Sequence, residues 1–333
     1  MKDLFKINLQ LFAGQLNTNV TTAEGLSAEN KTFYDMTLID EAQANLVHDQ
    51  FAQKRPIPKN GGKKIEFRKF ASLPKALTPL TEGVTPDGKS LSVSTIEAEV
   101  AQYGDYIVQS DVLELTSIDN TIVEATKILG RQAGLTLDTI TRNVLQSGTN
   151  VFYCPKADGT AVTSRTGLDN TCELTVDVVN KVVALLKKNN APKINGDYVC
   201  ILHPYVAYSL MKDERWIDAH KYANPENIYN GELGKISGVR FIESSEAKVY
   251  DGGVFGCLFL ADGAYGVTEI TGGGLETIIK QKGSAGTADP LDQRSSIGWK
   301  AIKTAEILVE PYMVRVECKS SLTGSGMFQL TAN

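Results

Sequence analysis

The sequence predicts an α+β protein, and three observations carry that expectation. The stretch 119–147, DNTIVEATKILGRQAGLTLDTITRNVLQS, reads as one long amphipathic helix. Around it lie runs that alternate apolar and charged residues at a period of two, as half-buried strands do. Helical and strand-like runs also follow one another without the regular rhythm of a doubly wound sheet, so helices and sheets are expected as separate layers.

Within the long helix, Ile122, Ala125, Leu129, Ala133, Leu137, Ile140 and Val144 recur at steps of three or four. They therefore share one face of a 3.6-residue helix. Asp119 stands where an N-cap belongs, able to accept from the free first-turn amides, and Gly148 follows as a stop. At 1.5 Å per residue the rod is ~40 Å long, a spine for a domain wider than it is thick. Gly130 and Gly134 lie one turn apart inside it. Each costs up to ~1 kcal/mol against alanine in an exposed interior. They are either tolerated weak points or the place of a bend or a close backbone approach, the preferred reading being close packing against a strand.

From the start of the chain, residues 1–26 hold apolar islands but no regular element, the pattern of an arm ordered by what it lies against. Ser27 caps a helix carrying Phe33, Tyr34, Leu38, Ala42 and Leu46, which runs to about Gln53 and is ended by Pro56 and Pro58. KKIEFRKF then alternates Ile65 and Phe67 against charges, as a half-exposed strand does. The tip SLPKALTPLTEGVTPDGKS follows, with Pro74, Pro79 and Pro86 excluding a central strand and Asp87-Gly88 marking a turn. The return run changes phase: Leu91 and Val93 are odd, while Ile96, Ala98 and Val100 are even. A bulge or a sharp twist between Val93 and Ile96 would reconcile them. A free two-stranded hairpin is marginal in water, so this one folds back on its own domain or lies on another subunit. Its alternating apolar faces with exposed charge fit the second arrangement better.

Past the long helix, NVFYCPKADG reads as a short strand and loop, and Thr175 opens a helix faced by Val178, Val179, Val182, Val183, Leu185 and Leu186. DYVCILHP is a continuously apolar, buried strand, and Pro204 begins another helical stretch. Strands are expected at 239–242 and within VFGCLFLADGAYGVTEI, with a long alternation from Tyr312 to Cys318.

The chain has 333 residues, a net charge of −5 and basic and acidic residues interspersed. No basic run marks a nucleic-acid groove, which leaves only loose contact with nucleic acid. Cys154, Cys172, Cys200, Cys257 and Cys318 are odd in number and dispersed, and His48, His203 and His220 stand far apart. Local zinc spacing is absent, and such cysteines are expected as small buried hydrophobes in a reducing compartment. MKDLFKINLQLFAG is too interrupted for a signal peptide and no run has the apolar length of a membrane span, so a soluble protein without membrane contact is expected. Phosphate-loop, dinucleotide, zinc-protease and serine-hydrolase motifs are missing. Gly272-Gly273-Gly274 lacks the helix and lysine of a phosphate cradle, His203-Pro204 reads as a hydrogen-bonded core histidine, and Asp289 and Asp292 offer too few oxygens for a metal. Trp216 and Trp299 read as packing residues. No catalytic residue, cofactor or metal ligand is therefore assigned. A protein that makes contacts is expected rather than an enzyme.

The run RKFASLPKALTPLTEGVTPDGKSLSVSTIEAEVAQYGDYIVQSDVLEL, followed by AGLTLDTITRNVLQSGTNVFY, resembles the major capsid proteins of tailed bacteriophages, in particular the branch related to the coat protein of coliphage N-four. HPYVAYSLMKDERW, GELGKISGVRFIES and DPLDQRSSIGWKAIKTAEILVEPYMVRVE agree, in the expected order, and NLQLFA resembles the start of many capsid proteins from phages of Gram-positive hosts. The resemblance implies the Hong Kong ninety-seven type coat-protein fold. Its parts would be an N-terminal arm and helix over 1–54, an extended β-hairpin loop over 55–109 and a peripheral domain with the spine helix over 110–174. An axial domain over 175–295 and C-terminal strands over 296–333 would complete it.

The resemblance also implies that Arg68, Phe70, Leu73, Pro79, Leu80, Glu82, Val84 and Pro86 of the loop contact a neighbouring subunit. The spine would be Ile122, Leu129, Ala133, Leu137, Ile140 and Val144. Implied partners are copies of the chain in pentamers and hexamers, a portal protein, scaffolding and decoration proteins, and packaged double-stranded DNA held without sequence specificity. The implied location is the virion, assembled in the bacterial cytoplasm. Some relatives join a loop lysine to a neighbour's asparagine; Lys75 and Lys89 lie in this loop but no motif marks their partners, so they are expected to be solvated. The competing readings are the shell of a bacterial encapsulin-like nanocompartment and, more distantly, a hydrolase using His203 and a cysteine.

Overall fold

The computed structural model describes residues 38–42, 46–58, 60, 62–70, 73, 75–80, 82–85, 87–117, 121–223, 233–269, 274–284, 289–324 and 332–333. The expected arm over 1–26, the helix start at Ser27, Phe33 and Tyr34, and the caps or turns at Pro74, Pro86, Asp119 and Gly272-Gly273 lie outside them.

The strands are β1 (Gln53–Lys54), β2 (Lys64–Phe70), β3 (Val93–Glu99), β4 (Ala101–Ser110), β5 (Val151–Tyr153), β6 (Tyr198–Leu202), β7 (Lys235–Ile236), β8 (Val239–Glu243), β9 (Val249–Tyr250), β10 (Val254–Leu260), β11 (Tyr265–Glu269), β12 (Glu276–Lys280), β13 (Arg294–Ile307) and β14 (Met313–Cys318). Between them run α1 (Asp111–Thr116), α2 (Thr121–Gln146), α3 (Val176–Lys188), α4 (Pro204–Met211) and α5 (Glu214–Ala223). Helix and sheet segregate into layers, so the α+β class holds.

One sheet runs β1-β11-β13-β12, with β4 on the opposite edge of β13. Its common partner is β13, which pairs antiparallel with β4 over 294–303, with β12 over 296–300 and with β11 over 303–307. A second sheet runs β5-β14-β10-β6-β8-β7, with β9 on β10. The third is a two-stranded ribbon of β2 and β3. The largest core lies between the second sheet and α3, α4 and α5, where Val178, Val179, Val182 and Leu186 meet Val206, Phe241 and Phe259. Trp216 is buried there, edge-on to Phe241 at 5.4 Å between centroids.

Helix α2 binds the layers together. Ala125, Leu129, Ala133 and Leu137 pack on Ile297, Trp299 and Ala301 of β13, and Leu145 reaches the core shared with β10 and β11. The buried face follows a strict step of four, with a second row of Thr126, Gly130, Gly134, Asp138, Arg142 and Gln146 beside the first. Ile122, Ile140 and Val144 are only half-buried flanks of it. Polar residues take the buried face in the last turns because charged groups from two other segments meet it there.

Several expectations are corrected. Gly130 and Gly134 do admit a close approach, but by the helical backbone of 38–42 and not by a strand. A Cβ on Gly130 would lie 2.9 Å from the Leu38 carbonyl oxygen, and one on Gly134 would sit 3.0 Å from Ala42 Cα and still nearer its carbonyl oxygen. The first helix does not reach Gln53: residues 48–50 are a turn and Gln53–Lys54 pairs parallel with β11. The amides of Val47 and His48 are drawn instead to the Asp138 carboxylate. The bulge between Val93 and Ile96 is absent, for β2 and β3 pair without interruption from Lys64↔Glu99 to Phe70↔Val93. Leu91 and Val93 are exposed, so the change of phase marks the loss of a covered face. The chain breaks its ribbon at Val100, whose amide donates to the Lys63 carbonyl at 3.0 Å as β4 turns into the larger sheet. The alternation expected near the C-terminus is also wrong in kind, since every residue of β14 is buried, Arg315 and Glu317 included.

Gly134→Ala tests the close approach. Alanine's gain in helix propensity, up to ~1 kcal/mol, opposes a backbone clash, and overpacking of this kind costs ~1–3 kcal/mol. Urea unfolding should therefore show net destabilisation; a more stable variant would place the 38–42 backbone further away.

Candidate functional site

Among the described residues, the ribbon is anchored through Phe67 and Ala98. Phe67 and Ala98 are buried, and the Phe67 ring fills the space over Gly266 beside Leu308. A Cβ on Gly266 would lie 3.0 Å from that ring, so the glycine makes the slot. Arg55 sits 5.8 Å from the ring centroid on another side. Beyond this anchor, apolar side chains face solvent: Leu77 is 82% exposed and Leu80 76%, with Leu73, Val84 and Leu91 also more than half exposed. Of the expected contact residues, Arg68 is exposed on β2, Phe70 ends that strand, and Pro79 and Glu82 are exposed in the loop. Pro86 lies outside the described residues. Lys75 and Lys89 are exposed, as expected. A chain that leaves several large aliphatic groups in water on one protruding element has a surface built for another molecule.

The ribbon emerges beside a buried cluster of charges. Asp138 on α2 accepts from the amides of Val47 at 2.8 Å and His48 at 2.7 Å, and from His48 Nδ1 at 2.7 Å. Asp49 accepts from the Thr141 hydroxyl at 2.6 Å and pairs with Lys303 of β13, whose ammonium also donates to the Leu137 carbonyl at 3.0 Å. Tyr265 of β11 donates to the His48 carbonyl, and burial, with the nearby Asp49 and Asp138 charges, pushes its hydroxyl well up. One turn on, the guanidinium of Arg142 donates to the Glu246 carbonyl at 2.7 Å, and Gln146 donates to the Gly256 carbonyl at 2.8 Å. Burial lowers Arg142 from its ordinary value. A further pair joins the half-exposed Arg165 to the buried Glu317 at 2.6 Å, with the Arg165 guanidinium 3.6 Å above the Tyr250 ring.

None of these charged groups was singled out from the sequence. The legible signal was Asp138 and Arg142, four apart, with Asp138 directly after Leu137 of the apolar stripe and Arg142 two residues after Ile140. Charges on a packing face are rare unless paired.

A family model described as phage capsid protein matches residues 93–314, two thirds of the chain. The chain belongs to the phage capsid protein family. Among solved structures it is similar to the capsid of cyanophage P-SCSP1u, at TM-score 0.64 and 14% identity over 81% of this chain and 87% of that one. The capsid of Ralstonia phage GP4 gives 0.62 and 15% over 85% and 89%, and the cyanophage Pam1 capsid 0.65 and 13% over 84% and 92%. At such identities the likeness concerns the fold, which is of the Hong Kong ninety-seven type. No curated protein matches the chain. Family and fold together make it a phage major capsid protein; the nanocompartment reading has less support.

In this capsid protein the other candidate residues have structural places. His203 caps α4, its Nδ1 accepting from the Tyr205 amide at 3.2 Å, with its ring 4.9 Å from those of Tyr205 and Phe255. The five cysteines are free and buried, and burial pushes the Cys200 thiol well up. Asp289 accepts from the Arg294 amide at 2.8 Å across a turn that puts Asp292 at φ 53°. Trp299 is buried on α2, with its indole N–H donating to Gln132. Among the described residues no three metal-ligating side chains cluster, and no helix is long and apolar enough to cross a membrane.

Two outcomes follow from this geometry. Lys303→Met leaves Asp49 buried without its cation and should cost ~3–5 kcal/mol in urea unfolding; Lys303→Met with Asp49→Asn should recover part of it. Burial holds His203 below its ordinary value, so the native state resists its protonation. Its stabilising contribution is then complete above the unfolded value of ~6.5 and lost as pH falls through it. His203→Asn keeps a good cap and should flatten the decline in unfolding free energy between about pH 7 and 5; an unchanged slope would assign that decline elsewhere.

Proposed function

We propose that this capsid protein builds the icosahedral head of a tailed phage from pentamers and hexamers, each subunit laying its hairpin across a neighbour. The observation that carries the reading is the ribbon anchored through Phe67 with exposed leucines beyond it. Rings close by heterologous contacts in which unlike surfaces meet, and a protruding arm supplies area that a flat edge does not.

The parts take their expected roles in this proposal: arm and helix over 1–54, loop over 55–109, peripheral domain over 110–174, axial domain over 175–295, and C-terminal strands over 296–333. The pairing of β4 with β13 favours ending the protruding part near Glu99, with 101–110 serving the peripheral sheet. Arg68, Phe70, Leu73, Pro79, Leu80, Glu82, Val84 and Pro86 are the proposed contact residues. Membership of the coliphage N-four-like branch is part of the reading, supported by the loop and spine motifs of the sequence. So are a portal protein, scaffolding and decoration proteins, and assembly in the host cytoplasm around DNA held without sequence recognition. The net charge of −5 suits a shell that does not grip phosphate tightly.

The test is electron microscopy with size-exclusion chromatography of the full chain, expressed alone and with its neighbouring head genes. Shells, tubes or capsomer rings are expected. A variant with residues 71–92 replaced by Asn-Gly should stay folded and monomeric. Normal shells from that variant would sink the role given to the hairpin.

A further inference from the structure

We infer that Lys303 and Asp49 condense within one chain, the lysine Nζ bonding to the aspartate Cγ with loss of water, so that the pair is the site of an internal amide link. The link lies inside the subunit and is independent of how neighbours meet. The loop lysines Lys75 and Lys89 take no part in it.

An amine and a carboxyl group that join without an activating reagent need contact, a dry site and partners for the reacting atoms. Contact is given by the fold: Lys303 Nζ on β13 lies against Asp49 Oδ2, although the two residues stand 254 apart in the chain. Groups held in this way react as if at a concentration that no free amine reaches. The site is also dry. The Lys303 side chain is 1% exposed and that of Asp49 10%, and Thr141 beside them is fully buried. An ammonium and a carboxylate lose their hydration here, whereas an amide carries no charge and the released water regains its hydrogen bonds in solvent. An equilibrium that in bulk water favours the separate ions is thereby turned toward the amide.

The partners are in place on α2. The Thr141 hydroxyl donates to Asp49 Oδ1 at 2.6 Å, and the Leu137 carbonyl accepts from Lys303 Nζ at 3.0 Å. The hydroxyl polarises the carboxyl group and holds the oxygen on which charge gathers as the amine adds. The carbonyl ties down one N–H and leaves the rest of the nitrogen turned to Asp49. Both bonds suit the product equally well. Oδ1 becomes the amide oxygen and keeps the Thr141 hydroxyl, while the single amide N–H keeps the Leu137 carbonyl. No buried polar group is left newly unpaired.

The protons balance within the pair. One of the three on the ammonium passes to Oδ2, giving an amine and a carboxylic acid. The amine adds to Cγ, a second proton follows to Oδ2, and the Cγ–Oδ2 bond breaks to release water. The third proton remains as the amide N–H. One charge of each sign disappears, and Asp138 keeps His48 and the amides of Val47 and His48. The product is a covalent loop from 49 to 303 that encloses the whole of α2 and ties the segment before the hairpin to the long strand.

The test is the intact mass of the folded, stored full chain after denaturation, followed by tandem mass spectrometry of its peptides. The expected result is a mass short by one water, with peptides joined through Asp49 and Lys303. Lys303→Arg keeps the positive charge on a guanidinium that stays protonated, so it should show the full mass and run more slowly than the looped wild type on a denaturing gel. Thr141→Val should lower the linked fraction at a fixed time. Wild-type chain that stays at full mass on prolonged storage, or that loses water with no joined peptide, would overturn the link. Should Lys303→Arg not fold, the wild-type mass and peptide map decide alone.

Discussion

Three segments far apart in sequence must bring their charges to the same buried point on α2, and much of the architecture is bound by that requirement. Asp138 takes two backbone amides and a histidine from 47–48, while Asp49 faces Thr141 on the helix and Lys303 on β13. Buried ion pairs contribute little net stability against an apolar replacement, because desolvation offsets their attraction. They are demanding about geometry, however, since a charge displaced by one turn is left unpaired at a cost of several kcal/mol. The cluster therefore fixes the register in which the first described segment, the helix and the long strand come together. Small residues do the rest one and two turns earlier, where Gly130 and Gly134 let the backbone of 38–42 lie directly on the helix.

That junction explains how a protruding hairpin can be directed without being covered. The chain leaves the cluster at Asp49, pairs briefly beside β11 as β1, and enters β2 within reach of Gly266. Phe67 seats in the slot above this glycine, so the root of the ribbon inherits the rigidity of the sheet while its far end touches nothing of its own subunit that would hide its leucines. The same strand β13 that carries Lys303 also carries Gly298 on its other face.

The layers and the spine were legible because they rest on periodicity, which survives in sequence. Leu129, Ala133 and Leu137 could be placed on one face from spacing alone, and the continuous run at 198–202 did prove wholly buried. The failures share a physical cause. Asp138, Arg142, Arg315 and Glu317 look like solvent-facing residues, and only their distant partners, the His48 amide, the Glu246 carbonyl, the Gln146 carbonyl and Arg165, reverse that reading. The glycines of α2 announced a close approach, but which backbone approaches is a tertiary fact. Of the site, the exposed loop could be read from its prolines and turn signals.

The seating of 38–42 against α2 separates the two broad faces of this layer in a practical way. The helical backbone before Ala42 lies on the α2 side of the sheet, and Tyr106 and Gly298 look out from the other. A peptide fused just upstream of residue 38 would leave the subunit on the helix-bearing side, while one grafted at a β4 position such as Val108 would be displayed on the opposite side. Two added peptides are then addressable independently on opposite faces of the same polypeptide.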